Sequence, residues 1–150
     1  MEPEGMVHAL EEIHRLLRPD GVLIDIHPAR EAPLVEVHAD GRIVVTETYP
    51  RAHGDDLVQA EEALSESVRT GVFAEEAVRA FEFMTYGSSV AELRAFFEEA
   101  GAYDTSPIDD QVAARRDAMY IRLEEVGRRS GKRAEIGFRE PTRMSRLAPS

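Results

Sequence analysis

Hydrophobic and polar positions recur along this chain with two periods, and the switches between them mark the elements. Leu10, Ile13 and Leu17 repeat at helical spacing with Glu11, Glu12, Arg15 and Arg18 between them, which predicts an amphipathic helix packed by one face. Arg18, Pro19, Asp20 and Gly21 end it, because proline disfavours the α conformation in the residue before it and Asp-Gly turns at low steric cost. Val22, Leu23, Ile24, Asp25 and Ile26 are then nearly all apolar, the pattern of a short strand covered on both faces. A helix feeding such a strand through a short turn is half of a parallel βαβ unit.

Pro28 to Pro33 reads as a polar loop. From Leu34 to Thr48, Val35, Val37, Ile43 and Val45 alternate with Glu36, His38, Arg42 and Val44 around Asp40-Gly41, a hairpin signal resting on the positive φ angles that pair tolerates. Asp55 to Thr70 reads as a helix with Leu57, Ala60, Leu64 and Val68 inward and Glu61, Glu62 and Glu66 outward, stopped by Gly71. Val72, Phe73, Ala77, Phe81 and Met84 predict a second helical stripe. Ser89 and Glu92 form a capping box that opens a helix running to Gly101. Ser106, Pro107, Asp109 and Asp110 predict the start of another, with Ile108, Val112, Met119, Leu123 and Val126 as its stripe and Arg128, Arg129 and Lys132 at its close. Ala134 to Phe138 and Met144 to Leu147 read as one or two short strands interrupted by Pro141, which suits an edge.

A length of 150 residues predicts one domain, and 43% hydrophobic with 31% charged residues is the composition of a soluble globular protein. A formal net charge of −11 argues against nucleic acid and against anionic membrane, because binding a polyanion rests on Lys and Arg. With no cysteine, disulfides and thiolate metal sites are excluded. No export signal or run of about 18 apolar residues is visible, which leaves the cytoplasm as the expected location.

The series Leu10, Glu12, Ile13, Arg15, Leu17, Pro19, Gly21 and the strand Val22 to Ile26 resembles the fourth helix and fifth strand of class I S-adenosylmethionine-dependent methyltransferases. Val90 to Gly101 resembles the helix before that family's sixth strand, although the chain then departs from the pattern by entering a new helix. The resemblance implies an α/β fold: a partial Rossmann-like methyltransferase sheet from the fifth strand onward, with a β-hairpin insertion at Leu34 to Thr48 and four to five helices. The hairpin is then either a substrate cover or a plain closing element of the sheet. The family holds S-adenosylmethionine on a Gly-rich loop after its first strand, and no G-x-G-x-x-G or G-x-G-x-G occurs among the 150 residues. The expectation is a methyltransferase-like C-terminal half that binds no cofactor and transfers no methyl group alone. It is either a piece completed by another chain or a non-catalytic domain for dimerisation or small-ligand binding.

The five histidines show no HxH, HxxxH or H-E-x-x-H spacing, so no metal site is expected. Asp25 and His27 share a strand face, either as a carboxylate orienting an imidazole or as a polar strand end. Ligands of open α/β sheets bind beyond the carboxyl ends of strands, so His27 is the first expected wall of a small-molecule pocket, with Tyr49, His53, Met84 and Tyr86 as companions. Arg143 and Arg146 meet either an anionic ligand or surface carboxylates. If the strand Val22 to Ile26 lacks its parallel neighbour, its bare edge calls for cover by the hairpin Leu34 to Thr48, by a second copy or by a complementing chain, and the last two are preferred.

Overall fold

The computed structural model describes residues 3–52, 55–101, 108–130 and 134–150. In chain order these form α1 (Pro3–Leu16), β1 (Leu23–Pro28), β2 (Leu34–Ala39), β3 (Arg42–Thr48), α2 (Asp55–Arg69), β4 (Phe73–Gly87), α3 (Val90–Gly101), α4 (Asp110–Ser130) and β5 (Ala134–Pro149). The class is mixed α/β, with four helices and a five-stranded antiparallel open sheet in the order β1, β5, β2, β3, in which β4 also pairs with β5. The chain divides into two compact units. Unit 1 comprises Met1–Arg30, His53–Phe81 and Pro141–Ser150, and unit 2 comprises Glu31–Ala52 and Glu82–Glu140.

In unit 1 the helix stop acts as its residues require. The Gly21 N–H donates to the Arg18 carbonyl at 2.8 Å. A Cβ on Gly21 would stand 3.0 Å from that same oxygen, so the turn needs glycine for close approach. β1 then pairs antiparallel with the second half of β5, Asp25 opposite Ser145 and His27 opposite Arg143. Ion pairs Glu75–Arg143 and Glu76–Arg146 tie β4 to the same half of β5. β1 and β4 both oppose β5, so they run parallel to each other, and the connection between them passes through α2. α2 ends on Gly71 at φ +76°, where the N–H groups of Gly71 and Val72 donate to the carbonyls of Val68 and Ser67.

Three expectations are corrected here. β1 is not covered on both faces: Ile24 and Ile26 are 49% and 59% exposed. They share one face, and α2 lies over the other, which carries Asp25 and His27. Val72 to Met84 is not helical: from Phe73 on it belongs to strand β4. Phe73, Ala77 and Phe81 stand four apart, and four is an even number, so the three share a strand face as readily as a helix stripe. Finally, β5 is continuous through Pro141, which falls between the residues paired with β2 and those paired with β1.

In unit 2 the hairpin turns on Asp40 and Gly41 at φ 51° and 73°, as the type I′ signal requires. A register shift lies between Val37 and His38; Val35 and Val37 are buried, whereas Ile43 is exposed. β2 pairs with the first half of β5, and Val35, Val37, Ile136 and Phe138 meet Val90 and Leu93 of α3 and Met119, Tyr120 and Leu123 of α4 to form the core. The capping box at α3 is present: the Ser89 hydroxyl accepts the Glu92 N–H, and the Glu92 carboxylate accepts the Ser88 N–H and hydroxyl. The Asp109 carboxylate caps α4 by accepting the N–H groups of Gln111 and Val112. The expected cap at Ser106 and Pro107 lies outside the described residues.

Candidate functional site

Strand alternation sends the side chains of Asp25 and His27 to the same face of β1, near its carboxyl end. The His27 Nδ1 stands 2.6 Å from Asp25 Oδ2. An ionised carboxylate only accepts, so this contact fixes the proton on Nδ1 and presents Nε2 to what lies beyond. The His27 side chain is only 10% exposed, and its Nε2 is buried without a hydrogen-bond partner. The nearest charge is Glu61 of α2, whose Oε1 lies 3.9 Å away, too far for a direct bond.

The space beyond Nε2 is a cavity of about 510 Å³ in unit 1, between α2 and the sheet. Glu61 also pairs with Arg30, and Glu66 with Arg69 along α2. The opposite wall holds Glu75 of β4 with Arg143 and the buried Ser145 of β5. Arg143 donates to Glu75 at 3.1 Å. Leu64, Val68 and Leu147 supply the apolar lining. The volume and the mixed lining fall in the range of small-molecule sites.

Of the expected wall residues, His27 lines this cavity. Tyr49 belongs to unit 2, stacked against Phe97 and Phe138 with the Arg116 guanidinium 4.8 Å above its ring. Its N–H donates to the Pro33 carbonyl, closing the hairpin. It also borders a second cavity of about 410 Å³ with Arg116 and Tyr120. Burial, and then the neighbouring Tyr49, push the Tyr120 phenol above its ordinary value. Met84 and Tyr86 also belong to unit 2, on the opposite face of the sheet from Tyr49: Met84 beside Gly137, and Tyr86 exposed with its ring edge-on to His38. His53 lies outside the described residues. Arg143 and Arg146 meet carboxylates, Glu75 and Glu76.

Glu61, expected to face outward, instead closes the cavity, and Arg30, Glu75 and Ser145 were not singled out by sequence. Ser145 carries no local signal, since only the β1–β5 register, formed between distant parts of the chain, sets it opposite Asp25. Among the described residues, no group of His, Asp or Glu side chains is arranged to hold a metal ion, and no helix is long and apolar enough to cross a membrane. At the starts of α3 and α4, backbone N–H groups are bonded to the side chains of Ser89 and Asp109. Comparison with protein-family models, with curated proteins and with solved structures finds no match to this chain.

Proposed function

We propose that this chain is a small-ligand-binding relic of the substrate side of a class I methyltransferase, one that holds a small molecule in the unit 1 cavity and transfers no methyl group alone. The observation that carries the reading is the buried, unpartnered Nε2 of His27, oriented by Asp25 and facing a cavity at the carboxyl end of β1. The lineage is supported by the order of elements in unit 1: a helix, the Pro-Asp-Gly turn, a strand, a helical crossover and a second strand parallel to the first. In this reading β1 is the fifth strand of a partial Rossmann-like sheet, β4 the sixth and β5 the last, with residues 31–52 and 88–133 as insertions, so that Val90–Gly101 follows the sixth strand and its likeness to the helix before that strand is given up. Without a Gly-rich cradle the non-catalytic alternative is favoured over an active enzyme.

Calorimetric titration of the 150-residue chain with S-adenosylmethionine is expected to give no heat, and detectable binding would remove the relic reading. A screen of small metabolites by thermal shift is expected to find stabilisers that a His27→Phe variant no longer answers to.

The same reading assigns a partner to β1. Among the described residues this strand pairs with β5 alone, and Val22, Ile24 and Ile26 are exposed. β1 thus has one edge of unpaired backbone groups beside an exposed apolar face, and since such an edge is a template for strand pairing, a second copy, or a complementing chain carrying the front half, covers it. Light scattering is expected to report a dimer that the double change Ile24→Lys and Ile26→Lys converts to monomer. A wild-type monomer at micromolar concentration leaves only the complementing chain.

A further inference from the structure

We infer that the unit 1 cavity takes a neutral, polyhydroxylated molecule of about monosaccharide size, a choice of ligand class that rests on the small-ligand reading above. Six of the charged groups around it come as matched pairs, Arg30 with Glu61, Arg69 with Glu66 and Arg143 with Glu75, and exposed Glu62 adds a further carboxylate. Each guanidinium has more N–H groups than its partner uses, and each carboxylate has spare lone pairs. The wall therefore alternates donors and acceptors, with one more carboxylate than guanidinium. An anionic ligand entering here would be set against the carboxylates, and a cationic one against three guanidiniums. A hydroxyl is donor and acceptor at once, and is the group that satisfies both members of such a pair.

The gap at His27 makes the same selection. Its buried Nε2 and Glu61 Oε1 stand 3.9 Å apart. A single oxygen placed about 2.8 Å from each would bridge them. If Nε2 carries a proton, a hydroxyl accepts from it and donates to Glu61. If Nε2 is bare, a ligand that brings two neighbouring hydroxyls donates to each. The buried hydroxyl of Ser145 offers a further polar contact on the sheet side. Leu64, Val68 and Leu147 form an apolar surface for the C–H face of a ring. A volume of about 510 Å³ admits one such ring with its first hydration shell or a short extension.

Nuclear magnetic resonance of the full 150-residue chain, labelled with nitrogen-15, tests this with three neutral probes (D-glucose, D-ribose and myo-inositol) and two charged ones (citrate and putrescine). At least one neutral probe is expected to shift the His27 ring and the backbone signals of Glu61 and Ser145 saturably. Glu61→Gln, a nearly isosteric change on a partly exposed side chain, is expected to weaken that probe at least tenfold while leaving the rest of the spectrum in place. An unchanged affinity in this variant would put the binding elsewhere and overturn the inference. Shifts at His27 from citrate or putrescine but from none of the neutral probes would overturn the ligand class and leave the cavity as a site. Silence at His27 from all five would remove both.

Discussion

Glu36→Ala should lower the free energy of unfolding by about 3 kcal/mol, at the low end of the roughly 3–5 kcal/mol typical of breaking a buried ion pair. The Glu36 side chain is 2% exposed and lies between the Arg139 guanidinium at 2.7 Å and the His38 Nε2 at 2.9 Å. Deleting the carboxylate leaves a cation whose Nε is already buried without a hydrogen-bond partner. Arg139 keeps Glu82 at 3.1 Å and partial exposure, which holds the loss toward that lower bound. Glu36→Gln keeps an acceptor and should cost less, about 1–2 kcal/mol. Replacing Glu36 and Arg139 together by leucine should recover much of the loss, because no unpaired charge then remains. Urea denaturation of the four proteins measures this. A single alanine change costing under about 0.5 kcal/mol, the size of an ordinary surface substitution, would mean the pair is not buried in solution.

Leu123→Ala carries the other large effect, about 2–5 kcal/mol. Leu123 is 0% exposed and sits in the unit 2 core with Met119 and Tyr120 of its own helix and Val35, Val37, Ile136 and Phe138 of the sheet. Truncation removes its transfer free energy and leaves a void that close-packed neighbours fill only in part. Two residues earlier, Ile121 is 65% exposed, so Ile121→Ala should stay within about 0.5 kcal/mol. The contrast between the two helical neighbours is the measurement. Equal losses would mean that α4 presents a different face to the sheet.

The elements that were legible in sequence are those whose cause is local. Asp40-Gly41 dictates its own φ angles, and Ser89 with Glu92 satisfies donors within a single turn. Asp25 and His27 meet because a strand places alternate side chains on one face, so half of the site needed only a correct strand assignment. β4 was misread because its partner is remote. What makes it a strand is pairing with β5, including Glu75 with Arg143 and Glu76 with Arg146, about seventy residues away. Glu61 was misread for a related reason: the helix period marks it as polar and outward, and only the arrival of β1 gives a buried imidazole for it to face. Tyr49, Met84 and Tyr86 are polar-tipped or soft groups whose type says nothing about which unit receives them.

Gly137 shows the same limit at one atom. It stands opposite Glu36 in the β2–β5 register, and a Cβ there would lie 3.0 Å from His38 Nε2 and 3.1 Å from Met84 Cε. A glycine inside a strand signals close approach, but the groups that approach come from two other strands.

β5 supplies pairing residues to unit 1 and to unit 2, and it is the last of the nine described elements in chain order. Each half-sheet closes its hydrogen-bonded ladder through β5, Ala134 to Arg139 pairing with β2 and Thr142 to Leu147 with β1. Leu23 pairs with Leu147 and Ala39 with Ala134, so both ladders close over long stretches of chain, a loop-entropy cost that favours slow, late acquisition of structure.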